Sequence, residues 1–142
     1  MVYHGDCVFV FDFDGVIYDP VREEPRPVGV EALREAARLG RVYVVTGRSE
    51  RDMRIIRRVL GEAGVRVPVI ARPPGLVGDE VSVKLELWSR LLAVEECILE
   101  VHDDNEDVLD AARRRARGAL VLHHGDRCWS IRGRSLIRAC NI

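Results

Sequence analysis

The sequence predicts an α/β domain, with a parallel sheet of five strands and helices on both faces. Three observations carry that prediction. Short apolar runs alternate with amphipathic stretches along the chain. The first run, Cys7-Val8-Phe9-Val10-Phe11, is unbroken, as in a strand buried on both sides. The length, 142 residues with 47% hydrophobic, suits one domain with a real core and is too apolar for a disordered chain.

The elements follow in order. After the strand over 7–11, a helix is predicted over 28–39, apolar at Val30, Leu33, Ala36 and Ala37 and stopped by Gly40. A second strand covers 42–45. A second helix covers 49–63, with Met53, Ile56, Val59, Leu60 and Ala63 on one side. Ser49 is its N-cap, Asp52 its first-turn acid and Gly64 its stop. A third strand over 67–71 leads into the loop Arg72-Pro73-Pro74-Gly75. A third helix spans 81–93, its inward stripe being Leu87, Trp88, Leu91 and Leu92. A strand over 98–101, a helix over 106–117 ended by Gly118, and a strand over 119–122 complete the pattern. From His123 the chain is rich in Gly and Arg, and its pattern resolves no element. No repeat, low-complexity segment or linker divides it, so 1–142 reads as one domain.

Composition narrows the function. A net charge of −1 argues against whole-chain attraction to nucleic acid or anionic lipid. No apolar run is long enough for a membrane helix, and no basic segment precedes an apolar one at the N-terminus, so a cytoplasmic location is expected. Of 22 basic residues, 21 are arginine and one is Lys84. Glutamine is absent and asparagine occurs only at Asn105 and Asn141, a pattern compatible with a heat-adapted protein. Cys7 and Cys97 open apolar runs and read as buried small hydrophobes. Cys128 and Cys140 read as unpaired thiols, with a disulfide between them as the alternative.

In parallel α/β sheets ligands bind beyond the carboxyl ends of the strands. There the sequence places Asp12-Phe13-Asp14-Gly15, Thr46-Gly47-Arg48 and His102-Asp103-Asp104-Asn105-Glu106-Asp107, with Lys84 at the start of a helix. Each group alone has a plain reading: turn chemistry for Asp-x-Asp, an N-cap for Asp103-Asp104, a solvated lysine for Lys84. Together, Asp12, Asp14 and Asp103 form a carboxylate cluster that repels itself unless a cation intervenes. Oxygen ligands with open positions suit Mg²⁺, and Thr46, Lys84 and loop N–H groups supply donors to an anion. Metal, cation and donors around a carboxylate nucleophile describe a phosphoryl-transfer site.

Asp12-Phe13-Asp14-Gly15-Val16, Thr46, Lys84 and Asp103-Asp104 with Asp107 resemble, in order, the four motifs of the haloacid dehalogenase (HAD) superfamily of phosphohydrolases. The resemblance covers 7–122 and implies a Rossmann-like HAD domain. It implies Asp12 as the nucleophile forming an aspartyl-phosphate. Asp14 would protonate the leaving oxygen and then activate water, while Thr46 and Lys84 hold phosphoryl oxygens. Mg²⁺ would sit on Asp12, the Asp14 carbonyl and Asp103, and Asp104 and Asp107 would orient Lys84 or stand behind the metal ligands. Gly15 and Gly47 would let backbone approach the phosphoryl group.

The chain between Asp14 and the first helix has room only for a turn and a small flap. The stretch from Gly47 to Val83 is filled by a helix, a strand and a loop, so no cap domain is expected. Within the superfamily, Thr46-Gly47-Arg48-Ser49-Glu50, Arg72-Pro73, Glu80 before Lys84, and Glu86 and Trp88 after it are similar to the phosphatase domain of polynucleotide kinases. That resemblance implies removal of 3′-phosphates, with Gly47 and Arg48 at the substrate, Arg22 or Arg26 assisting, and Glu80 behind the metal ligands. Glu80 stands where aspartate is usual there, and no P-loop is present. The alternatives are a phosphatase for a small sugar or nucleotide phosphate, closed by homo-oligomerisation, and a non-catalytic phosphate- or nucleic-acid-binding module. Arg113, Arg114, Arg115 and Arg117 read as a solvated helix face, Trp129 as core, and His102, His123 and His124 as structural or surface residues, with a role for His102 behind the metal ligands as the alternative.

Overall fold

The structure, a computed structural model, describes residues 7–116, 120–124, 129–132 and 135–138, with side chains over 7–116 and at His124. The elements are β1 (Cys7–Phe11), β2 (Tyr18–Asp19), β3 (Glu24–Pro25), α1 (Pro27–Leu39), β4 (Val42–Ser49), a 3₁₀ turn (Glu50–Asp52) and α2 (Met53–Glu62). There follow β5 (Val69–Arg72), α3 (Glu80–Leu92), β6 (Cys97–Asp103), α4 (Glu106–Arg115), β7 (Leu120–His123), β8 (Trp129–Arg132) and β9 (Ser135–Arg138). The fold is α/β. Its parallel sheet runs β5-β4-β1-β6-β7 and stays open at both edges, so no barrel closes.

Strand geometry explains the two faces. Successive side chains of β1 point to opposite sides. Phe9 and Phe11 pack with Leu33 of α1 and Ile56 and Leu60 of α2. Val8 and Val10 pack with Leu87 and Trp88 of α3 and Leu109 of α4. The sheet is therefore covered on both sides, which is why β1 reads as a continuous apolar run. Pro27 in the first turn starts α1. Asp79 caps α3 by accepting from the Ser82 N–H at 2.8 Å.

Three expectations change. The helix over 49–63 is divided: Ser49 Oγ accepts from the Arg51 N–H at 3.0 Å, a 3₁₀ turn follows, and the regular helix begins at Met53. The strands over 42–45 and 98–101 run on to Ser49 and Asp103, carrying the site residues within the sheet. Cys7 and Cys97 are disulfide-bonded. The β1–β6 register pairs these two residues and sets their Cα atoms 4.6 Å apart, within reach of a bond that 90 residues of separation conceal in the sequence. Cys128 and Cys140 lie outside the described residues.

Two antiparallel pairs were not in the sequence pattern, β2–β3 and β8–β9. The first is all that stands between Asp14 and α1, while the 3₁₀ turn, α2, β5 and a loop fill the chain from Gly47 to α3. Among the described residues no helix is long and apolar enough to cross a membrane.

Candidate active site

The register builds the site. β1 pairs Phe11 with His102 of β6, so the next residues stand side by side, Asp12 just past the end of β1 and Asp103 as the last residue of β6. Both are buried, at 5% and 1% exposure. Lys84, one turn into α3 and 1% exposed, comes between them. Its Nζ lies 3.0 Å from Asp12 Oδ1 and 2.9 Å from Asp103 Oδ2. Burial alone would depress the ammonium, but the two carboxylates outweigh it and hold Lys84 above its usual pKa.

The carboxylates are pinned by backbone as well. The Phe13 N–H donates to Asp12 Oδ1 at 2.8 Å, and the Asn105 N–H to Asp103 Oδ1 at 3.0 Å. Asp12 Oδ1 thus takes both bonds, and Oδ2 makes none among the described residues. Burial pushes Asp12 well above the usual carboxylate range; Lys84 opposes this, and Asp103 and Asp104 add to it. Asp104 is raised by burial and by its neighbours Asp103 and Glu80. Asp12, Asp103 and Asp104 bring carboxylate oxygens within 4.8 Å of one another. Gly15 makes room for this group. It has φ +83°, and a Cβ there would collide with the Asp104 carboxylate.

Three carboxylates, two buried and one exposed, crowd a single ammonium, and burial and their mutual repulsion disfavour the charged forms of Asp12 and Asp104 in the absence of a further cation. That donor set fits a hard divalent cation of the Mg²⁺ type. Asp104, expected behind the metal ligands, is the third carboxylate of this cluster. The Asp14 side chain is not part of it. Its carboxylate receives the fork of Arg48, Nε at 2.7 Å and an Nη at 2.9 Å. Arg48 Nη1 also lies 3.6 Å from Asp52, and the guanidinium stands 5.7 Å from the Phe13 ring centre and 5.8 Å from that of Tyr18. The hydrogen bond to Asp14 raises Arg48 above its usual value. Arg48, expected at a phosphate, is thus bound to Asp14. Thr46 is 1% exposed, and its Oγ1 accepts the Arg48 N–H at 3.1 Å.

These residues open onto a cavity of about 800 Å³. Asp12, Asp14, Thr46, Gly47, Arg48, Glu80 and Asp104 line it, and Arg26 comes in from the flap. Arg72 braces the rim by donating to the Gly47 carbonyl at 3.1 Å and the Leu76 carbonyl at 3.2 Å. Glu80 accepts from Asn105 Nδ2 at 3.0 Å, joining the starts of α3 and α4. Asp107 stands apart. It is exposed in the first turn of α4, where its N–H is taken by Asn105 Oδ1. Arg113 pairs with Asp110 and Glu106, and Arg115 donates to Ser89, in keeping with a solvated face. Arg117, the Trp129 side chain and the tail arginine side chains fall outside the described residues.

Sequence reasoning missed one group. Glu100, His102 and His124 are all buried beneath the site. Glu100 Oε1 lies 2.9 Å from His102 Nε2, and His102 Nδ1 lies 2.9 Å from His124 Nε2. Burial lifts Glu100 to about 7 and drops His102 to about 3. Glu100 and His102 are two apart on one strand and share a face, which the sequence allows one to read. His124 has no such signal.

No known protein family profile matches the chain, and no curated protein does. Solved structures do match in fold. Chains from two structures of the Pnkp1/Rnl/Hen1 complex, one described as an RNA repair complex, superpose with a TM-score of 0.71 each. Identity is 18% and 17%, over 82% and 83% of this chain and 41% and 45% of theirs. This chain therefore spans less than half the length of either neighbour, and at that identity the likeness speaks for the fold alone.

Proposed function

We propose that this chain is a HAD-type, Mg²⁺-dependent phosphomonoester hydrolase that acts through an aspartyl-phosphate, with a 3′-phosphorylated polynucleotide end as its substrate. The observation that carries the proposal is the Asp12 carboxylate: buried, held through Oδ1 by Lys84 and a backbone N–H, with no bond to Oδ2 among the described residues, in a residue that lines the cavity. Asp12 Oδ2 attacks phosphorus, and the bond to the leaving oxygen breaks. Asp14, as the acid, gives that oxygen its proton, and an incoming phosphate competes with Asp14 for the Arg48 fork. Water then attacks the same phosphorus, and Asp14 takes its proton. The acyl-phosphate bond breaks, releasing inorganic phosphate and restoring Asp12. Thr46 and Lys84 hold phosphoryl oxygens. Asp12, Asp103, Asp104 and the Asp14 carbonyl would hold Mg²⁺, which neutralises charge building on the phosphoryl group.

The polynucleotide end is supported by the RNA repair setting of the structural neighbours and by the absence of a cap between Asp14 and α1 or between Gly47 and α3. The test is Mg²⁺-dependent phosphate release from a 3′-phosphorylated oligonucleotide, sugar phosphates, nucleotides and an aryl phosphate. Asp12→Asn runs alongside and is expected to be inactive with its fold intact. Preference for a small phosphate shifts the substrate to a metabolite and the missing lid to a second subunit. Release from none of them, with Mg²⁺ bound, leaves a binding module.

A further inference from the structure

We infer that Glu100, His102 and His124 form a positioning chain that sets where Asp12 and Asp103 stand about Lys84. The inference rests on reading those carboxylates as the reacting centre. The three residues are 4%, 3% and 2% exposed, and none lines the cavity. They are linked end to end by the two 2.9 Å contacts through the His102 ring. That ring, neutral in its buried setting, carries one N–H, so it donates at one end and accepts at the other.

Main-chain bonds carry the hold to the site. The Asp12 N–H donates to the His102 carbonyl at 2.9 Å, and the His124 N–H donates to the Asp103 carbonyl at 2.9 Å. The His102 ring also stacks on Phe11, centroid to centroid 3.9 Å, directly before Asp12. One imidazole therefore grips β1 beside the nucleophile, and it reaches β7 beside Asp103 through His124. Apolar side chains of equal volume would pack these strand ends with no polar group to satisfy. Hydrogen bonds add direction and a narrow distance range, which apolar contacts lack. Lys84 needs that narrowness, because its Nζ bonds two carboxylates from two strands at once.

The test compares His124→Phe, which keeps a ring and loses the bond to His102, with His124→Gln, which keeps an amide near the position of Nε2. Carboxyl ¹³C signals are recorded on the full, metal-free protein, and kcat and KM are measured with an aryl phosphate and Mg²⁺. In His124→Phe the Asp12 and Asp103 signals are expected to move while that of Asp79 stays. Its kcat falls about tenfold or more, the scale typical of support behind metal ligands, with KM within about twofold. His124→Gln restores both. Unmoved Asp103 signals in His124→Phe, or equal behaviour of Phe and Gln, overturn the inference. Should His124→Phe fail to fold, Glu100→Met against Glu100→Gln makes the same comparison from the other end. A wild-type protein that releases no phosphate overturns the phosphatase reading, while the carboxyl signals still decide the positioning one.

Discussion

Lys84 shows how one side chain organises a centre. Its ammonium offsets two buried carboxylates at 3.0 and 2.9 Å. Replacing it with Met leaves both without their cation. The expected cost is about 3–5 kcal/mol of stability, the range for breaking a buried pair from one side. Urea unfolding of Lys84→Met measures it, and a loss below about 1 kcal/mol would mean the pair is solvated in solution. Lys84 was legible because it is the one lysine among 22 basic residues and stands where a parallel sheet gathers its ligands. The Arg48–Asp14 fork was not legible. It joins residues 34 apart and depends on two local events, the Gly15 turn at φ +83° and the run of β4 past Thr46. Neither event has a periodic signal.

At the scale of elements, helix starts do much of the positioning. Asn105 caps α4 through Oδ1, accepting from Asp107 and Val108 N–H groups, while its Nδ2 reaches Glu80 at the start of α3. Asn105→Ala should cost about 1 kcal/mol in thermal or urea unfolding, the usual size of an N-cap. The strand end of β6 gives a pH prediction. His102 falls from an ordinary 6.5 to about 3, so its contribution is lost as pH drops from about 6.5 to 3. Glu100 rises from 4.5 to about 7, so its contribution is present below about 4.5 and lost as pH climbs to 7. Between about 4.5 and 6.5 the unfolded chain binds one proton more at His102 and one fewer at Glu100, and the slopes cancel. Glu100→Gln removes the compensating proton. On acidification Glu100→Gln should then start losing stability near pH 6.5, whereas wild type holds until about 4.5; parallel Tm–pH curves would refute this. The helices were readable because α1, α2 and α3 each bury a stripe at helical spacing. The β2–β3 pair was not, since two-residue strands give no alternation to read.

For the whole molecule, the succession of strands and helices was visible in the sequence, but the spatial order β5-β4-β1-β6-β7 was not, because apolar runs do not name their neighbours. The Cys7–Cys97 bond was hidden for the same reason. It appears only once β1 and β6 are adjacent. A bond closing 90 residues is worth about 4–5 kcal/mol through the unfolded chain. Reductant, or Cys97→Ser, should lower Tm by roughly 10–20 °C in a chain of this size. A shift of a degree or two would mean the thiols are free. The bond also makes residues 7–97 a covalent ring that holds Asp12, Asp14, Thr46 and Lys84, with Asp103 just outside it. A single cut at the exposed Pro74–Gly75 step would open the ring without dividing the protein into two molecules. Such a nicked chain would migrate as one species until reduced, and its two segments would come apart only then.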